Sequence, residues 1–245
     1  MKFLIKTLGW ERFRAAQFGI VHHATIALNP KEANDPRCIG VLDVLPRYLA
    51  KDGVVAVGEV GFDSMTVEEE KAFVRQLELA VEFELPAMVH TPHRDKEQVT
   101  RRTLELVAES GLAPGMVVVD HLNEVTVDQV DEAGCWMGFS IYPDTKMDEH
   151  RMAALVKKYG HDRILVNSAA DWGISDPLKV PKTIAVMRAH GIADEVIERI
   201  VWDNPVAFFG QTGRLDVSDI PDEPAIDRQL RFENNSVLRG ERPDA

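Results

Sequence analysis

Cysteine is scarce: the 245-residue chain has two, Cys38 and Cys135. They match no redox or metal-ligating spacing, so they read as small core residues of a reducing compartment. The expected location is the cytoplasm. Long apolar runs are missing as well. None approaches the ~18 residues that a transmembrane helix needs, and the apolar part of "MKFLIKTLGWERFR" is too short for a secretory signal. Positive charge is the third shortage, because 28 Lys and Arg face 40 Asp and Glu, giving a formal net charge of −12. A polyanion binder needs a basic stripe to displace counterions. The dense basic pairs, Lys157-Lys158 and Arg101-Arg102, fall in amphipathic helical pattern and read as solvated helix faces. The balance argues against a polynucleotide partner and leaves a small phosphate-bearing substrate open.

What is present alternates. Six short apolar or β-branched runs read as buried parallel strands: 18–28, 54–61, 86–91, 116–121, 135–142 and 163–168. Helical segments lie between them. The clearest begins at Thr66, where Glu69 completes a capping-box pattern, and continues with Phe73, Leu77, Ala80 and Val81 on one face. Gly111, Gly134, Gly160, Gly191 and Gly210 stand where a left-handed C-terminal residue closes a helix. Strand–helix repetition predicts a parallel sheet with helices outside. An open doubly wound sheet and a (β/α)8 barrel both satisfy it. No glycine-rich phosphate loop follows a strand, and "GEVGFD" puts an acid where a phosphate would sit. The expectation is therefore an α/β, TIM (β/α)8-type barrel over residues 1–215, incomplete, with about six of eight strands. Residues 216–245 lose the apolar periodicity and read as an extended or disordered tail.

The titratable residues are informative by position. Glu59 ends the second run, His90 the third and His121 the fourth, while Asp171 follows the sixth. In a barrel, strand C-termini share one face, and its loops hold the active site. Four groups distant in sequence would then converge, each a good ligand for a divalent metal. A lone buried histidine is usually a hydrogen-bonded core residue. Four such groups at equivalent positions are harder to assign to a core. Met147 and Met152, at helical spacing, read as core filler.

These residues resemble a family. "GEVGFD" (58–63) is similar to the "GE-I-GLD" signature of TatD-like metal-dependent hydrolases, within the amidohydrolase superfamily. "PAMVHTPHRD" resembles the family's strand ending in a ligand histidine, "VVVDH" the next, and "MGFS" the strand after. "VWDNPVAFFG" looks like its closing "N-x-x-x-LFG" helix. The resemblance spans about residues 15 to 215 and is nearest to members of Ebo-type gene clusters. It implies one or two divalent metal ions, with Zn, Mn and Mg not distinguished. Glu59 would bridge them, His90 and His121 would bind one, and Asp171 would bind metal and act as acid or base. "NSAAD" needs a two-residue shift to place Asp171 in register with the family's "ETD". Asp120, beside His121, is open to a supporting role.

The family's first-strand H-x-H pair has no counterpart. His22 and His23 are adjacent, and side chains of adjacent strand residues point to opposite faces. Their run corresponds to the family's third strand, which places the first two strands upstream of Met1. His22 or His23, Asn123, Tyr142, Lys146, Asn167 and Trp172 share the site's face, as substrate contacts or as loop-stabilising groups. His93, Arg94 and Asp95 belong to the loop after His90, where substrate contact and loop capping are both open.

The leading expectation is a hydrolase that activates water against an ester, phosphoester or amide bond of a small molecule. The alternative is a TatD-like scaffold, non-catalytic or impaired for want of H-x-H, that binds a metabolite or partner. Six strands of a barrel leave open sheet edges, which predicts self-association.

Overall fold

The computed structural model describes residues 6–170 and 174–218. Asp171, Trp172 and most of the expected tail, 219–245, lie outside the described residues. Six strands form one parallel sheet in sequential order: β1 Ala24–Ile26, β2 Val54–Gly61, β3 Ala87–His90, β4 Val117–Val119, β5 Trp136–Ile141 and β6 Ile164–Ser168. The sheet is a curled half-barrel, an incomplete TIM barrel. Among the described residues β1 pairs with β2 alone and β6 with β5 alone.

Helices follow or separate the strands. They are α1 Arg12–Ala16, α2 Val41–Leu49, α3 Val67–Glu82, α4 Lys96–Glu109, α5 Val127–Glu132, α6 Glu149–Tyr159, α7 Lys179–Ala189, α8 Asp194–Glu198 and α9 Asn204–Phe209. No helix among the described residues is long and apolar enough to cross a membrane.

The core lies between sheet and helices. Strand β2 is buried on both faces except at Glu59, as expected for a parallel strand covered on two sides. Phe73, Leu77 and Ala80 of α3 pack on it fully buried, with Phe73 and Leu77 each contributing roughly 1.5–3 kcal/mol through removal from water. Met147 and Met152 are core residues too, as is Cys135, whereas Cys38 is half-buried.

Several local expectations are corrected. Strand β1 begins only at Ala24, because Phe18, Ile20 and Val21 are exposed and lie outside the ladder. His22 and His23 therefore precede the strand rather than alternating across it. Thr66 Oγ1 caps α3 by accepting from Glu69 N, but Glu69 does not reach back to the cap residue. Its Oε2 accepts instead from the backbone N–H groups of Asp63, Ser64 and Met65 at 3.0, 2.9 and 2.9 Å, fixing the loop that leaves β2. Val81 is exposed at the edge of the apolar stripe. Four of the five helix-closing glycines have positive φ; Gly210, at φ −85°, does not.

Candidate metal centre

The site forms where strands β2, β3 and β4 end. In register, Gly61 of β2 stands beside His90 of β3, and Val89 beside Val119 of β4. The β2–β3 ladder shifts between Gly58 and Val60, so Glu59 sits at an irregularity. Such bulges re-aim a side chain without ending a strand. Gly61 follows with φ +131°, and a Cβ there would lie 2.5 Å from the His90 carbonyl oxygen, so glycine alone fits. His121 lies two residues past β4 in the left-handed region, φ 64°, a conformation that non-glycine residues hold when the surroundings over-determine it. Here Asp120 N donates to Val89 O, and Leu122 N to Gly138 O, clamping the residue on both sides.

The three side chains meet. Glu59 Oε1 lies 3.0 Å from His121 Nε2, and Oε2 lies 3.7 Å from His90 Nδ1, so the carboxylate turns one oxygen to each imidazole. The rings stand edge to face at 4.7 Å. One donor atom from each residue lies within 4.8 Å of the others. Burial alone would raise the Glu59 carboxyl, but the His121 and His90 rings that its oxygens face hold it well below the usual carboxylate range.

A chain of buried groups orients His121. Asp120 accepts from Asn167 Nδ2 at 3.2 and 3.1 Å and from the His121 backbone N–H at 2.7 Å. Ser140 Oγ lies 3.0 Å from Asp120 Oδ2 and 2.7 Å from His121 Nδ1. A carboxylate can only accept, so the Ser140 hydroxyl donates to Asp120 and its oxygen takes the Nδ1 proton of His121. The Nε2 lone pair then faces the Glu59 carboxylate at 3.0 Å. In that tautomer the carboxylate oxygen and the ring nitrogen are placed to share a cation. The donor set of one carboxylate and two imidazoles suits a borderline divalent ion. Strand register supports the chain, since Ser140 of β5 pairs with Asn167 of β6. Gly138 makes room for it: a Cβ there would meet Asp120 Oδ1 at 2.8 Å and its Cα at 3.0 Å.

Cationic groups surround the centre. Lys146 Nζ lies 3.3 and 3.4 Å from the two ring nitrogens of His121, almost equidistant from them. It also rides over the Tyr142 ring at 4.2 Å. Lys96 Nζ donates to Thr91 Oγ1 at 3.0 Å and to the Pro92 carbonyl at 3.3 Å. Burial lowers Lys96 to about 8, and Lys146 adds to the fall against the opposing pull of Asp120. His93 is held at about 4 by partial burial and by Lys146, Lys96, His121 and His90.

The structure thus brings together Glu59, His90, His121, Tyr142 and Lys146. Arg94 is exposed on the β3–α4 loop. Asn123 is engaged locally, its Oδ1 accepting from Val125 N at 3.1 Å to shape the turn before α5. His23 lines a different place, a cavity of about 400 Å³ against Val55, Val201, Pro205 and Phe209, which none of the three candidate ligands borders. Asp171 lies outside the described residues. Ser140 and Lys96 carry no mark in a single sequence, although Ser140 closes the quoted "MGFS".

A parallel α/β barrel with a Glu–His–His donor set at its strand ends is the architecture of a metal-dependent hydrolase. The chain belongs to the TatD related DNase family, whose model matches residues 11–210. It is similar, at 30% identity over 167 residues, to an uncharacterized metal-dependent hydrolase of Methanocaldococcus jannaschii, the match covering 67% of this chain and 65% of that protein. It is 25% identical over 178 residues to a putative deoxyribonuclease of Danio rerio, covering 66% of this chain and 64% of the relative. The chain thus spans less than two thirds of the length of both. Its fold resembles that of a TatD-like protein from Archaeoglobus fulgidus, with a TM-score of 0.66 and 26% identity over 85% of this chain and 82% of that one.

Proposed function

We propose that this chain is a hydrolase that uses divalent metal, held by Glu59, His90, His121 and Asp171, to activate water against an ester, phosphoester or amide bond of a small molecule. The observation that carries the reading is the convergence of three donor groups from three separate strand ends. A divalent ion there supplies Lewis-acid polarisation of the scissile oxygen and acidifies water. Glu59, ionised throughout the neutral range, provides the charge that retains the ion. His121 stays the right tautomer because Ser140 and Asp120 hold its Nδ1 proton. Lys146, over the Tyr142 ring, places positive charge beside the centre, suited to an oxyanion as charge develops on it. Asp171 takes the acid–base role, and Arg94 a contact at the mouth. His23 and Asn123 are left out, because His23 lines a separate cavity and Asn123 shapes the turn before α5.

The test is metal analysis of the full chain, purified from metal-replete medium, beside Glu59→Gln, with hydrolysis of aryl ester, aryl phosphodiester and lactone probes. Bound divalent metal in the parent and its loss in the variant are expected, with hydrolysis falling in parallel. Absence of metal from both sinks the reading. Metal without hydrolysis favours the binding scaffold.

A second reading has its own support. The family's description and the zebrafish relative both name a deoxyribonuclease. Against it stands the charge of −12. Salt-dependent DNA binding in the micromolar range, with cleavage that disappears in Glu59→Gln, would favour it.

A further inference from the structure

Away from the strand-end cluster, two exposed histidines meet between helices. His150 Nδ1 lies 3.0 Å from His190 Nε2, with the rings inclined at 61° and centroids 5.3 Å apart. His150 occupies the first turn of α6, and His190 caps the C-terminus of α7. We propose that His150 and His190 form a bidentate clamp for a single tetragonal divalent ion, Cu²⁺ or Ni²⁺ before Zn²⁺, independent of the Glu59 centre.

The geometry carries the choice of ion. An ion about 2.0–2.1 Å from each nitrogen would subtend this pair at roughly a right angle. Near-right angles between nitrogens belong to tetragonal Cu²⁺ and Ni²⁺ rather than to tetrahedral Zn²⁺, and the order of affinity for divalent ions runs the same way. Both rings are exposed, so water can fill the remaining positions.

The clamp is preorganised. Glu149, one residue before His150, is paired with Lys179 at the N-terminus of α7 at 2.6 Å, with both side chains largely buried, which ties α6 to α7 although at the far end of α7 from His190. Asp148 caps α6 by accepting from His150 N and Arg151 N at 2.9 Å each, which fixes the backbone of His150. His190 N donates to Val186 O, fixing the other ring's backbone at a helix end whose carbonyls favour a cation. The nearby arginines are already neutralised, Arg151 by Glu124 at 2.6 Å and Arg188 by Asp194 at 2.6 Å. In the metal-free protein one imidazole donates to the other; on binding, the donor ring carries its proton on its other nitrogen, so both facing nitrogens offer lone pairs to the ion.

The test titrates Cu²⁺ into the full chain carrying Glu59→Gln, which disables the strand-end cluster, and into the same chain with His150→Ala, His190→Ala or both. Calorimetry reads affinity, and electron paramagnetic resonance reads the number of imidazole nitrogens on copper. A chelate predicts at least a tenfold loss of affinity in each single variant, little further loss in the double, and a fall from two nitrogens to one. Unfolding midpoints without metal should be unchanged, since both side chains are exposed. A loss of twofold or less in each single variant, as independent histidines would give, overturns the clamp, as does a single nitrogen on copper in the parent.

Discussion

His121 Nε2 faces Glu59 Oε1 at 3.0 Å while its Nδ1 is held by Ser140 at 2.7 Å. The second contact decides what the first can be. With the ring proton committed to Ser140, the nitrogen toward Glu59 is a donor of electrons, and the pair becomes a place for a cation.

Ser140→Ala tests that dependence. It removes the acceptor of the Nδ1 proton and one partner of Asp120, without touching Glu59 or His90. Loss of such a supporting partner costs about 10–100-fold in metal affinity or activity. Metal titration of the variant should show this, alongside a loss of about 1–3 kcal/mol in stability from the buried His121 N–H left without its acceptor. An unchanged affinity would mean that the Asp120–Ser140 chain does not set the tautomer.

Glu69 tests the loop after β2. It is fully buried, and its Oε2 takes three backbone N–H groups. Glu69→Ala strands those donors and should lower stability by about 3 kcal/mol or more. Urea unfolding measures it. A change under 1 kcal/mol would show that water replaces the carboxylate.

Lys96 gives a pH signature with a definite sign. Its folded value is lowered to about 8 by burial, against ~10.4 for an unfolded lysine. Below pH 8 both states are protonated, and the cost of charging the buried amine is fully present. Between about pH 8 and 10 the unfolded state binds more protons, so that cost fades and stability rises with pH. The difference in unfolding free energy between the parent and Lys96→Met should therefore shift in the parent's favour across that window. A flat difference would place the Lys96 amine in water.

The open sheet edge gives a fourth prediction. Ile20 and Val21 are 58% and 52% exposed just before β1, and Trp202 is 48% exposed across the same cavity. Sedimentation velocity should show association that grows with concentration and is abolished by Ile20→Glu with Val21→Lys. A compact monomer at every concentration tested would remove self-association from the reading.

Much of the framework was legible because parallel strands in a covered sheet are continuous apolar runs, and those are visible in one dimension. Runs 54–61 and 163–168 correspond closely to β2 and β6. Run 18–28 did not: Phe18, Ile20 and Val21 have strand-like composition, yet Phe18 N and Ile20 N donate to Ala15 O at the end of α1 and the ladder begins only at Ala24. Glu59, His90 and His121 stood out by their place at strand ends. The bulge that turns Glu59 toward the histidines did not, because a register shift belongs to two strands at once. Asn167, open as a substrate contact, instead holds Asp120. Ser140 stayed hidden for the same reason: its role is defined by what lies across the sheet.

The missing side chain at position 138 has a practical consequence. Any other residue there would drive a carbon into Asp120 and disturb the tautomer of His121 at the end of the neighbouring strand. Engineering of this pocket toward new compounds therefore has little freedom along the β5 backbone. Diversity is better placed at the exposed loop positions 93–95 and 144–145, where side chains are not packed against the sheet.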